Sequence, residues 1–286
     1  MTVLTAGTTI DSIKNSLVAL RMPRALEVLD ATVRRIEQGE IEGIEALDQL
    51  LVEERTVREN RRVRTALTLA RLTTVKSLAG FDFAFQPSLD KKRILALAEL
   101  TFIDRAEVVH LLGPPGTGKT HLASALAIEA VKAGRSVYFS NLADIVASLA
   151  KAERDGMLRE RIRYLCRPAL LVVDEIGYLP ITPGGGNLFF QLVNGRYEKG
   201  AMILTSNRGF AEWGEIFGDT VVATALLDRL LHHAVVIQIE GSSYRLRQHG
   251  DLVPEHLRAK TVAVPPPVSK RRARPTEKST DDHQNG

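Results

Sequence analysis

The sequence predicts an α/β protein: a three-layer domain on a five-stranded parallel sheet, preceded by a small all-helical domain and followed by a disordered tail. Two patterns predict the sheet. Apolar, β-branched runs recur at 108–113, 136–140, 169–174, 201–206 and 234–239, with helical segments between them. Most of these runs are apolar at nearly every residue, which marks strands covered by helices on both faces. A third observation marks the tail. After Gly241 the periodicity fades into a segment with PPP at 265–267 and KRRAR at 270–274. The expected division is a helical domain over 1–72, an extended connector over 73–89, the α/β domain over 90–250 and the tail over 251–286.

Taken in order, residues 11–38 and 44–72 read as two helices, with Gly39 and Gly43 bracketing the break. In the second, Leu47, Leu50, Leu51, Val57, Leu67 and Ala70 form an interrupted stripe with helical spacing. In the connector Phe81, Phe83 and Phe85 alternate with small or polar residues. Alternation puts the three rings on one side of an extended segment, where they dock on a neighbouring surface. Asp90 caps a helix running to about Thr101.

Composition excludes several classes. The chain has 286 residues, 44% hydrophobic and 25% charged, with a net charge of +4. Its single cysteine, Cys166, rules out a disulfide framework and reads as a small buried residue. No run of about 18 apolar residues is present, so no membrane span is expected. The first residues carry no basic-then-apolar leader pattern, so the expected compartment is the reducing cytoplasm.

The chemistry begins at GPPGTGKT, residues 113–120. Gly113-x-x-x-x-Gly118-Lys119-Thr120 fits a phosphate-binding loop, and it sits between a predicted strand and the helical run at 120–133. Glycines let successive backbone N–H groups converge on phosphate oxygens, and the next helix offers its positive end. The cofactor-binding set is therefore Gly113, Pro114, Pro115, Gly116, Thr117, Gly118, Lys119, Thr120 and the adjoining His121, with ATP as cofactor. Lys119 reaches the outer phosphates, and the Thr120 hydroxyl ligates Mg²⁺. LLVVDE at 170–175 is an apolar strand ending in two carboxylates. Asp174 suits Mg²⁺, and Glu175 suits polarising a water for in-line attack. A strand and helices between the two motifs suggest the branch of these ATPases with an additional strand, and argue against a nucleotide kinase.

ILTSN at 203–207 brings Asn207 to another strand end, where an amide can hold the attacking water. ALLDRLLHH at 225–233 puts Arg229 on an otherwise apolar helix. A guanidinium suits the charge that develops on a transferring phosphoryl group, and it is often supplied by another subunit. His232 and His233 end that helix, with no matching carboxylate or cysteine cluster in the sequence to predict a metal site. Gly184, Gly185 and Gly186 follow no strand and read as a loop.

FDFAFQPSLD, LLGPPGTGKTHLA, LLVVDEIGYLP, EWGEIFGD, ALLDRLLHHA and GSSYRLR, in this order, closely resemble the IstB-type transposition helper ATPases. The likeness runs from about residue 12 to residue 248. It implies an AAA+ fold of the initiator and helicase-loader clade, related to the DnaC loader. It also implies that Lys119 and Thr120 hold nucleotide and Mg²⁺, that Asp174 and Glu175 form the acidic pair, that Asn207 is the sensor and that Arg229 is the arginine finger. Ser242 stands where the family pattern expects an acidic residue and little ordered chain follows, so no second-sensor role is assigned to Arg245.

A nucleic-acid partner has separate support. Arg55, Arg58, Arg61, Arg62 and Arg64 crowd one helical stretch against Glu59 alone, a basic flank that can contact phosphates without reading sequence. Glu54 can pair with Arg58 one turn away. The expected function is that of an ATP-dependent helper which assembles as a homo-oligomer on double-stranded DNA and presents it to a cognate transposase. A replicative-helicase loader is the second reading. A nucleotide-gated scaffold without turnover is the third, and the Asp174–Glu175 pair argues against it.

Overall fold

A computed structural model describes residues 6–72, 76–178 and 181–246. The tail expected at 251–286 lies outside the described residues. Three helices come first: α1 (Ala6–Ala19), α2 (Pro23–Glu37) and α3 (Gly43–Leu69). The single helix expected over 11–38 is thus two. Proline has no N–H and disfavours a helical residue before it, so Pro23 starts a new helix, and Arg21 turns through the left-handed region at φ 55°.

The α2–α3 pair is fastened by one buried carboxylate. α2 has no side-chain cap of its own. Glu54 of α3 supplies one, accepting the N–H groups of Arg24 at 2.8 Å and Ala25 at 3.2 Å. Arg58 donates to Glu54 at 2.9 Å and also to the Leu20 and Arg21 carbonyls at 3.1 and 2.6 Å, closing the end of α1. Leu47 and Leu51, expected in a buried stripe, are 58% and 50% exposed. Here α3 buries Ala46 and Glu54, and one turn after another farther on it packs Val63, Ala66 and Leu67 onto the core of the sheet.

Over 76–89, the described part of the connector, the chain is a series of turns rather than an extended segment, so its three phenylalanines part company. Phe81 and Phe83 meet edge to face with centroids 4.8 Å apart, whereas Phe85 packs on Tyr244 at 5.1 Å. Helix α4 (Lys91–Leu97) begins on the Asp90 side chain, which accepts from the N–H groups of Lys92 and Arg93. It stops short of Thr101 because Leu100 adopts a left-handed conformation, φ 64°, before the short α5 (Thr101–Asp104).

The sheet has five parallel strands: β1 (Val108–Leu112), β2 (Val137–Asn141), β3 (Leu170–Ile176), β4 (Ala201–Ser206) and β5 (Ala234–Gln238), in the order β2-β3-β4-β1-β5. Between them run α6 (Lys119–Lys132), α7 (Leu142–Arg154), α8 (Leu158–Cys166), α9 (Gly185–Arg196), α10 (Trp213–Phe217) and α11 (Thr220–Leu231). Alternate strand residues face opposite layers. Leu170 and Val172 join α6 and the end of α3, while Leu171 and Val173 join α7, α9 and α11. Central β1 and β4 are buried at every residue, which is why their runs read as nearly continuously apolar, whereas edge β5 is mostly half-exposed. β4 lies between β1 and β3, so the two strands that carry the sequence motifs are not neighbours.

Three smaller expectations change. Gly185 and Gly186 are buried in the first turn of α9, and only Gly184 precedes it, because a side chain at Gly185 would collide with Ile181 and Val146. Cys166 is half-buried at the edge of the core, where it and Ile162 both lie against Gly195. β3 continues past its carboxylates to Ile176 through a bulge. Among the described residues no helix is long and apolar enough to cross a membrane.

Candidate active site

The carboxyl ends of β1, β3 and β4 open onto a cavity of about 310 Å³. In open parallel sheets this edge is where ligands bind. The loop after β1 forms its floor. Gly118 is left-handed at φ 97° with the Phe81 ring edge against it, so a Cβ there would stand 2.6 Å from Phe81 Cε2. Gly116, φ 82°, faces Ser243 so closely that any side chain would overlap it. Pro115 through His121 line the cavity, while Gly113 and Pro114 lie behind it and contribute carbonyls. Those carbonyls each accept from Lys119 Nζ at 2.7 Å. Burial lowers the Lys119 pKa to about 8; Asp174 opposes the shift and Arg245 adds to it.

The two carboxylates diverge. Asp174 is buried and accepts from Thr120 Oγ1 at 3.0 Å and from the Thr205 hydroxyl. Glu175 is exposed, in a left-handed conformation at φ 62°, and lines the cavity. Its N–H donates to Thr205 Oγ1 at 3.0 Å. Strain of this kind at a non-glycine residue is held by its surroundings, here the β3 bulge and the Thr205 hydroxyl. Asn207 follows β4 and lines the same cavity; its Oδ1 is buried with no hydrogen-bond partner among the described residues. Such an atom carries a cost unless a ligand or water meets it. A hydroxyl and a carboxylate oxygen 3.0 Å apart, Thr120 Oγ1 and Asp174 Oδ1, are hard donors that fit Mg²⁺.

Residues that sequence reasoning missed close the cavity from above. Lys76, Phe81, Asp82 and Gln86 come from the connector, and Tyr244 and Arg245 from the segment after β5. His121 ties the connector down through a 2.9 Å hydrogen bond to the Ser77 carbonyl and an edge contact with Phe81. Gln86 donates to the Ser242 carbonyl at 3.1 Å, and Tyr244 N–H donates to the Gly116 carbonyl at 2.9 Å. Arg245 therefore faces the phosphate loop although its sequence context assigned it no role. The alternating phenylalanines were the signal available in the sequence, and docking on a neighbouring surface was the right idea for Phe81.

Arg229 is elsewhere. It lies beside Val108 and Met202, near the starts of β1 and β4, at the opposite edge of the sheet from the cavity. Its guanidinium stacks on Tyr197, 4.6 Å from the ring centroid, and Tyr197 Oη is 2.6 Å from His232 Nδ1. The structure also brings His232 and His233 to the carboxylate that sequence spacing did not reveal, Glu198.

The five arginines all lie on exposed positions of α3. Arg58 is occupied by Glu54 and the end of α1, and Arg62 by Glu59 at 2.7 Å. Arg55, Arg61 and Arg64 have no ion-pair partner among the described residues.

A family model described as IstB-like ATP binding protein matches residues 15–251. The chain is 46% identical over 232 residues to the insertion sequence IS21 putative ATP-binding protein of Pseudomonas aeruginosa, spanning 81% of this chain and 88% of that one. It is 42% identical over 229 residues to the insertion sequence IS5376 putative ATP-binding protein of Geobacillus stearothermophilus, spanning 80% and 91%. Among solved structures, the crystal structure of the DnaI aligns over 57% of this chain and 90% of that chain at 22% identity, with a TM-score of 0.48.

Proposed function

The chain belongs to the IstB-like ATP binding proteins and is a transposition-associated ATPase, and from that premise we propose that ATP assembles copies of it on double-stranded DNA, ready for a partner transposase. In this reading each copy binds ATP in its own cavity, and the neighbour's Arg229 completes the site. The observation that carries it is the separation of Arg229 from the cavity: a guanidinium at the far edge of the sheet serves a second copy, not its own nucleotide.

The residues divide the work by burial. Lys119, released from the loop carbonyls, neutralises the outer phosphates. Thr120 and Asp174 hold Mg²⁺, which when bound supplies positive charge against the phosphates. Glu175, exposed to the cavity, takes the proton of the attacking water, and Asn207 Oδ1 orients that water. The segment of helices α1 to α3 is the arm that meets DNA, through Arg55, Arg61 and Arg64, and the setting is the bacterial cytoplasm. Relatives named for insertion sequences, matched over most of their length, favour a transposase over a replicative helicase as partner.

Sedimentation of the protein with duplex DNA tests this reading. ATP should carry the protein into fast-sedimenting DNA complexes and ADP should not. Equal retention with both nucleotides would overturn it.

A further inference from the structure

Two turns meet at the edge of the sheet remote from the nucleotide cavity. The first follows α9 and carries Glu198, in a left-handed conformation at φ 57°. The second follows α11 and carries His232 and His233. Glu198 Oε1 lies 3.8 Å from His232 Nδ1 and 3.6 Å from His233 Nε2. All three residues are exposed, and one ligand atom from each falls within 4.8 Å of the others.

From this geometry we propose a divalent transition-metal site, of the kind that takes Zn²⁺, formed by Glu198, His232 and His233. Two imidazole nitrogens and one carboxylate oxygen are a common zinc donor set, and they leave a fourth position open to water. Zinc bonds of about 2.0–2.1 Å in a tetrahedron hold ligand atoms about 3.3 Å apart. The two Glu198–histidine separations exceed that by a few tenths of an ångström and the two imidazole nitrogens lie within 4.8 Å of each other, so rotations of the exposed side chains bring the three donors together. The turns themselves are fixed. His233 O accepts from Val108 N–H at 2.9 Å, which pins its backbone to β1. Gly200 N–H donates to Arg196 O at 3.0 Å, and the buried Arg196 side chain donates to the Ala201 carbonyl at 2.7 Å, which pins the other turn to β4. Both α9 and α11 also end here, so two negative helix ends favour a cation.

Tyr197 links this site to Arg229. Its hydroxyl now occupies His232 Nδ1 at 2.6 Å, and its ring lies under the guanidinium. A metal taking Nδ1 displaces that hydroxyl and resets the surface on which Arg229 rests. This consequence alone depends on the role proposed for Arg229; the metal site does not.

The test is calorimetric titration of the full chain with Zn²⁺ in the absence of nucleotide, alongside Co²⁺ absorption spectra. The expected result is one ion per chain, with Co²⁺ bands of a four- or five-coordinate site. His233→Ala and Glu198→Gln should each weaken binding by about tenfold or more, and Asp174→Asn should leave it intact. Absence of stoichiometric binding, or binding that survives in the His232→Ala/His233→Ala double variant, would overturn the proposal. Unchanged ATPase with zinc bound would remove only the link to Arg229.

Discussion

The backbone N–H of Glu175 donates to Thr205 Oγ1 at 3.0 Å, and the same hydroxyl donates to Asp174. One side chain from β4 thus holds both members of the acidic pair, one buried and one turned into the cavity. Thr205→Val keeps the shape and removes both bonds. It should leave ATP affinity within about threefold while lowering kcat by about tenfold or more, the scale of a mispositioned base. Steady-state kinetics and nucleotide titration separate the two effects. A rise in Kd with kcat preserved would mean that Thr205 serves binding alone.

Lys119 predicts a pH dependence of nucleotide binding. Its pKa is near 8 without nucleotide, because burial disfavours the ammonium, while ATP requires the charged form. Below about pH 7 roughly nine lysines in ten or more are already protonated and affinity should be flat. At pH 9 about one lysine in ten is charged, so affinity should be about tenfold weaker. Titration of a fluorescent ATP analogue between pH 7 and 9.5 checks this, and Lys119→Ala should abolish the binding it measures.

The basic helix separates into fastener and surface. Arg58→Ala breaks the bonds to Glu54 and to the end of α1, so it should lower stability by about 1–3 kcal/mol in denaturant melts. Arg55, Arg61 and Arg64 have no such duties. Their combined replacement by Ala should leave stability alone, weaken binding to every duplex sequence and flatten the salt slope by about 2–3. An unchanged slope would make that face a merely solvated one.

His110 sets an acid limit on the fold. It is fully buried in β1, with Nε2 3.1 Å from the Leu230 carbonyl, and burial lowers its pKa to about 4. The unfolded histidine titrates near 6.5. Above pH 6.5 both states are neutral and nothing is gained or lost. As pH falls from 6.5 to 4 only the unfolded chain takes up the proton, so stability should fall by about 3 kcal/mol. Chemical denaturation across that range should show the slope, and His110→Leu should remove its share.

The sheet was legible because β1, β3 and β4 are buried on both faces for most of their length, so each reads as a nearly continuous apolar run. The phosphate loop and the strand-end carboxylates follow from local spacing, which a sequence displays directly. What was hidden depends on contacts far apart in the chain. Glu54 caps a helix that starts 31 residues earlier, Gln86 holds Ser242 across 156 residues, and Glu198 meets His232 and His233 only through the fold. The connector misled because its alternation mimics a strand, whereas its phenylalanines serve two partners, the phosphate loop and Tyr244.

The central claim, that a neighbour's Arg229 completes each ATP site, is tested most directly by mixing two inactive variants. Lys119→Ala retains the arginine but cannot hold ATP; Arg229→Ala holds ATP but lacks the arginine. Mixed in equal amounts on duplex DNA, about a quarter of the sites regain both parts, and ATP hydrolysis should recover to about that fraction of the unmutated protein. A mixture no more active than the sum of its two components would contradict the account.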